Sequence, residues 1–394
     1  MSYTAYNTDV LVIGGGPAGT ALALSLLNYS KCTVTIVEQS DFSRERIGEH
    51  VSPSLFNILD YLKMDKSDFE EGCFLPAYGT IAYWGNEYPS RIHSIFTAEN
   101  STFQLDRQKF DFKLIEQVVE RGGSVFPRTK CLDFIKKENT EWCANLKHAE
   151  RGSFKVKAKY LVDATGRNAM VCRRLGITIH KMDSLVGVGV FLKPNEETPL
   201  SQEQILETTE LGWWYKAVLP NGTITACFFT DADIVSKYGI DKKENWTALV
   251  AQSKFLKNEL KGATALSLKP WVRNAATQLT DTSGHDNFIA IGDAASSFDP
   301  ISSMGIGFAM TSAIHAAKLI KHQLLNDIKN RDSLEFQQDI VKNFKNYLKL
   351  RSEFYAKEIR WKPSLFWERR QAENNDVMHH YGAANSRNGF SLVD

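Results

Sequence analysis

The sequence predicts an α/β protein in which a parallel, nucleotide-binding sheet is interleaved with a second, mostly antiparallel β-sheet domain, followed by a helical C-terminal part. Three observations predict it. Residues 9–37 read as strand, glycine-rich turn, helix and strand, the order of a right-handed βαβ unit. Residues 72–103 and 185–270 carry aromatic and β-branched runs, as in Gly79–Trp84, Val186–Phe191 and Ile224–Phe229, which suit an antiparallel sheet. Leu105–Arg167 and Asn287–His322 return to helix and apolar strand patterns of the first type. The expected boundaries are 1–71, 104–184 and 271–345 for the first domain and 72–103 and 185–270 for the second. Residues 346–394 form a helical segment and a polar, Asn-rich tail from about Gln371.

The first element is a strand ending at Ile13, followed by Gly14, Gly16 and Gly19 at the spacing that lets backbone approach a pyrophosphate without Cβ interference. Pro17 and Ala18 open a helix running to about Asn28, and a second strand, Thr33–Val37, follows it. Glu38, with Gln39 beside it, stands about 20 residues on, where a carboxylate binds ribose hydroxyls. This set points to a dinucleotide and leaves FAD and NAD undistinguished.

The chain of 394 residues has apolar material for two domains. Lys plus Arg number 47 and Asp plus Glu 46, so no net field favours nucleic acid or an anionic membrane. Six cysteines, Cys32, Cys73, Cys131, Cys143, Cys172 and Cys227, are scattered without CxxC or zinc spacing, which suits a reduced, cytoplasmic chain with no metal. The N-terminal residues read neither as a signal peptide nor as a membrane span.

Later in the chain, Phe288–Ile291 reads as a strand, followed by Gly292, Asp293, Asp299, Pro300, Gly305 and Gly307 and then an apolar helix to about Leu319. This order resembles the second cofactor motif of the FAD-dependent aromatic hydroxylase and flavin halogenase superfamily. The resemblance implies a Rossmann-type FAD-binding domain with a p-hydroxybenzoate-hydroxylase-like arrangement. It places Asp293 on the ribityl chain, and Pro300, Gly305 and Ile306 at the flavin, where a helix N-terminus favours the anionic reduced ring.

Leu105–Asp111, with Arg107, and Leu161–Arg167, with Ala164, Thr165 and Gly166, are similar to two further segments of that superfamily. Arg107 would lie beside the flavin and ribityl chain and Ala164–Gly166 on the adenosine half, with Cys131 a further cofactor-binding residue. Taken alone, Arg107 equally suits a surface salt bridge. Ser43–Pro53, with Arg46, Gly48, Glu49 and His50, resembles the segment covering the isoalloxazine in flavin halogenases, with His50 where Ser is commoner. Glu49 or His50 would orient substrate or move a proton, since His titrates near neutrality. They also suit a helix cap.

Trp213, Trp214 and Tyr215 resemble, imperfectly, an aromatic motif of tryptophan halogenases. Their adjacency puts the two tryptophans on opposite strand faces, as core or as walls of a pocket for an aromatic substrate. Two departures disfavour halogenation: Ser302 replaces the halogenase glutamate, and Phe74–Tyr88 lacks lysine. The late run Phe354–Arg370 looks like the flavoprotein maturases that modify a tryptophan in precursors of cysteine tryptophylquinone enzymes, such as lysine ε-oxidase and glycine oxidase.

That resemblance implies an FAD monooxygenase using O2 to hydroxylate an indole ring, with a precursor of a quinoprotein amine or amino-acid oxidase as partner. A groove wide enough for a polypeptide is expected at the domain junction. NAD(P)H, bound transiently, or a separate donor would supply electrons. The rival readings are a flavin-dependent halogenase, a geranylgeranyl-reductase-like oxidoreductase and a flavin protein that binds without turnover.

Overall fold

The computed structural model describes residues 5–43, 46–93, 102–137, 141–195, 201–326 and 331–372. Arg44, Glu45 and the Asn-rich tail beyond 372 lie outside the described residues. The chain divides into two compact units. The first comprises Met1–Pro76, Glu99–Lys181 and Gln278–Phe344, and the second Ala77–Ala98, Met182–Thr277 and Lys345–Asp394. The segment after residue 345 thus belongs to the second unit.

The first unit is built on a sheet whose strands run in the order 124–126, 34–37, 5–13, 152–163, 142–148 and 129–136, with 288–290 also pairing 152–163. Strands 124–126, 34–37, 5–13, 152–163 and 288–290 are mutually parallel. The rest forms an antiparallel meander. Val10 to Ile13 are buried on both faces, as a parallel sheet demands. Helix Pro17–Tyr29 packs on helices Arg107–Glu120 and Gly305–Asn326, and its residues 18 to 26 are all buried. In register, Ile13 lies beside both Val37 and Asp163. Ile291 N donates to Asp163 O at 3.0 Å, so four strands end together, and the loops after them share one edge of the sheet.

The second unit holds a sheet in the order 264–265, 185–193, 224–231, 212–218, 204–209, 79–83 and 90–93, with 271–274 also on 185–193. All these pairings are antiparallel except 204–209 with 79–83. Residues 358–372 are tied to this sheet by buried charge. Arg370 Nη2 reaches Asp231 Oδ1 at 2.6 Å, and Arg369 Nη1 reaches Asp231 Oδ2 at 2.9 Å.

Candidate cofactor site

The glycine turn shows three separate reasons for glycine. Gly14 has φ 116°, and a Cβ there would collide with the carbonyl oxygen of Ala164. A Cβ on Gly19 would collide with the carbonyl of Gly14. A Cβ on Gly16 would meet nothing within 4 Å: open space lies before the helix that Pro17 begins. No side chain caps that helix. Its N-terminal N–H groups and dipole therefore point to open space that suits a pyrophosphate. Glu38 is buried, accepting from Gly15 N and Ser40 N, both at 2.8 Å. Gln39, next to it, is exposed.

The other two motifs meet this turn. Asp163 is fully buried. Its Oδ1 accepts from Thr165 N at 2.9 Å and from Thr165 Oγ1, and its Oδ2 from Cys172 N at 2.9 Å. Those bonds shape the loop through Ala164, Thr165 and Gly166 (φ 66°), whose first carbonyl backs Gly14. Gly292, with φ 56°, would put a Cβ 2.8 Å from that of Ala18, so the second motif packs against the first turn of the glycine-turn helix. Asp293 follows. One carboxylate oxygen lies 3.2 Å from Arg167 Nε, and the other is buried without a hydrogen-bond partner among the described residues. Asp299 accepts from Ile301 N behind Pro300, and Ser303 turns at φ 51° into the helix beginning at Gly305. Gly305 and Gly307 face open space and Ile306 is buried.

Arg46 and Arg107 converge on Asp111, which is 1 % exposed, at 2.8 and 2.9 Å. Arg107 also donates to the carbonyls of Ile47 and Gly48 at 2.8 and 2.9 Å. Arg107 is therefore an internal clamp on the segment through Gly48. Asp111 is the organiser that sequence reasoning passed over, although its i,i+4 spacing to Arg107 on one helix was the available signal. Glu49 is buried and accepts from Gly48 N at 2.8 Å. Burial pushes the His50 imidazole down to about 4, which corrects the expectation of titration near neutrality: the ring is neutral at pH 7. Cys131 is buried, its thiol pushed up to about 12 by burial, and its carbonyl accepts from Arg174 at 3.2 Å.

Of the two readings of Trp213 and Trp214, core or pocket wall, the packing is that of core, and the pocket wall is corrected. Both are at most 1 % exposed. Trp213 stacks on Phe229 with centroids 4.3 Å apart and donates to Tyr355 Oη at 3.0 Å. Trp214 packs on Phe228 and Trp246 from the other face. Tyr215 is half-buried. The second unit does contain an open cavity of about 760 Å³, lined by Tyr83, Phe255, Trp361, Glu207 and Arg360 among others, and none of residues 213–215 reaches it. Ser302 donates to Asp299 O at 2.8 Å. Lys216, on the strand of the tryptophans, is buried, with Nζ 3.4 Å from Glu259, and desolvation pushes it down. Among the described residues no cluster of His, Cys, Asp or Glu is arranged to hold a metal. No described helix is long and apolar enough to cross a membrane.

An open cradle at a helix N-terminus, a loop at the end of a neighbouring parallel strand and a half-buried aspartate beside them are the features of a dinucleotide-binding flavoprotein. The FAD binding domain family matches residues 7–330, and the chain belongs to that family, among the FAD-dependent oxidoreductases. It is 42% identical over 364 residues to LodB of Marinomonas mediterranea, provisionally named an FAD-dependent oxidoreductase, covering 92% of this chain and 97% of that one. Among solved structures it is similar to the myxobacterial chondrochloren halogenase CndH, with TM-score 0.81 and 20% identity over 99% of this chain and 91% of that one. It is also similar to QhpG, described as a peptidyl tryptophan dihydroxylase essential for tryptophylquinone cofactor biogenesis. There the TM-score is 0.73 at 25% identity, over 93% of this chain and 79% of that one.

Proposed function

We propose that this protein is an FAD-dependent monooxygenase that inserts oxygen into the indole ring of a tryptophan in a precursor of a cysteine tryptophylquinone enzyme. The observation that carries the reading is the similarity, along nearly the whole chain, to a peptidyl tryptophan dihydroxylase. The lack of lysine between Phe74 and Tyr88 and the engaged Ser302 support oxygen insertion over halogenation.

FAD would supply the two-electron reduction of O2, one oxygen atom entering a ring C–H bond and the other leaving as water. The chain's own residues bind and orient. Gly14, Gly16, Pro17, Ala18 and Gly19 would cradle the pyrophosphate; Glu38, Gln39, Cys131 and Ala164 to Gly166 would flank the adenosine half. Cys131 could contribute main chain only, because its thiol is buried and protonated. Arg46, Gly48, Arg107 and Asp293 would line the ribityl chain, and Pro300, Gly305 and Ile306 the flavin edge. The helix dipole behind Gly305 stabilises negative charge there. Glu49 is the remaining candidate for proton movement. NAD(P)H or a separate donor would deliver electrons, and the partner is the precursor polypeptide, met at a wide groove.

The test is mass spectrometry of a cysteine tryptophylquinone enzyme precursor after incubation with the reduced holoenzyme and O2. A gain of one or two oxygen atoms on tryptophan is expected; no gain, or a halide-dependent gain, would overturn the reading. A halogenase remains the second reading, favoured by the partial likeness of Trp213–Pro220 to a halogenase motif.

A further inference from the structure

Strands His50–Val51 and Thr102–Leu105 pair antiparallel, with His50 opposite Gln104. Leu105 N donates to Glu49 O at 2.8 Å, so 49 with 105 is the hydrogen-bonded pair. His50 with Gln104 is then the non-bonded pair, in which Cα atoms approach to about 4.5 Å and the two side chains share a face. Gln104 is 1 % exposed, yet neither its amide oxygen nor its amide nitrogen has a hydrogen-bond partner among the described residues. The same is true of both ring nitrogens of His50. Four adjacent buried polar atoms left unsatisfied would each cost about 1–3 kcal/mol. Most buried polar groups in folded proteins are bonded, so four unsatisfied atoms side by side point to a further partner.

The chemistry of the missing partner follows from what the pair offers. Burial keeps the imidazole neutral, so it presents one donor and one acceptor, and the glutamine amide presents an NH2 donor group beside a carbonyl acceptor. A phosphate or carboxylate would leave the acceptors facing an acceptor. An ammonium would leave the donors without a partner. A planar amide or imide edge, with donor and acceptor side by side, satisfies both residues.

The pair also stands at the end of a bonded path from the glycine turn. Gly15 N binds Glu38, Glu38 binds Ser40 N, Ser40 Oγ accepts from Arg46 at 2.9 Å, Arg46 and Arg107 share Asp111, and Arg107 holds Gly48 O. Residues 48–50 are thus fixed to the same wall of the first unit as the cradle.

We propose that His50 and Gln104 together form a hydrogen-bonding site for an amide or imide edge, supplied by the ring system of FAD or by a peptide group of the polypeptide substrate. The inference rests on the proposed function for its choice of ligands, while its test needs no turnover. Failure to insert oxygen and failure of this site are therefore separate results.

The experiment uses Gln104→Met and His50→Leu, with the exchange His50→Gln plus Gln104→His as the rescue that keeps every hydrogen-bonding atom. FAD and ADP affinities are measured by titration, ADP reporting whether the cradle is intact. Flavin difference spectra of the loaded protein are recorded on titration with N-acetyl-L-tryptophanamide. If the flavin is the partner, FAD affinity falls at least tenfold in both single variants, ADP affinity stays within twofold, and the exchange recovers most of the loss. If a peptide group is the partner, FAD affinity holds, and an amide-induced spectral change seen in the wild type disappears in the variants. Single variants that match the wild type in both arms overturn the proposal and leave an ordered water only. Should a single variant lose ADP affinity as well, the exchange decides: FAD binding that collapses there, with ADP retained, also overturns it.

Discussion

At Gly19 a single methyl group decides whether the cofactor cradle exists. Its Cβ would collide with the carbonyl of Gly14, which has no room to retreat because its own Cα abuts Ala164. Gly19→Ala is expected to purify with little flavin and to lower the melting temperature, read by absorbance per protein and by thermal unfolding. Gly16→Ala, where nothing lies within 4 Å, should keep the fold and lose FAD affinity alone. His50 behaves in an equally local way. Its folded value of about 4 lies below the 6.5 of an unfolded chain. Above pH 6.5 both states are neutral and nothing is lost. As pH falls from 6.5 towards 4 only the unfolded state takes the proton, costing on the order of 3 kcal/mol by pH 4. His50→Leu should flatten that acid limb in urea unfolding followed between pH 7 and pH 4.

The strand Gly212–Val218 shows how an element's surroundings decide what its residues do. Period-two alternation correctly puts Trp213 and Trp214 on opposite faces. Both faces are covered, one by Phe229, Trp84 and Tyr355 and the other by Phe228 and Trp246, so both tryptophans are core. Trp213→Ala should therefore cost about 3–5 kcal/mol in stability. A loss confined to substrate affinity, with unfolding unchanged, would contradict this. The C-terminal segment is held in a comparable way. Asp231 is fully buried between Arg369 and Arg370. Asp231→Ala leaves Arg370 charged and unpaired in the interior and should destabilise by about 3–5 kcal/mol. Adding Arg370→Met should recover much of that, a coupling measurable by a double-mutant cycle in urea.

For the whole molecule, FAD is expected to act as a structural ligand of the first unit, since it would bridge three loops from different parts of the chain. Binding only the folded state, FAD at 100 times its dissociation constant adds about 2.7 kcal/mol. Stripping FAD should lower the first thermal transition and leave any separate transition of the second unit where it was, a difference visible by calorimetry. Local order was legible wherever spacing carries geometry: the three glycines, the strand, helix and strand around them, and Asp293 with Gly305. Long-range assignments were not. Asp111 reads as one helix residue until Arg46, 65 positions away, arrives on it, and Gln104 reads as a strand residue until His50 stands opposite.

The sequence by itself determined that this chain makes a parallel α/β cofactor fold with a second, mostly antiparallel sheet, because periodicity and glycine spacing are local consequences of backbone sterics. Only the tertiary structure decided which polar groups are satisfied. Burial and partnership depend on segments brought together from far along the chain, and they set His50 neutral, left one oxygen of Asp293 without a partner among the described residues, and buried Trp213 and Trp214 in core packing.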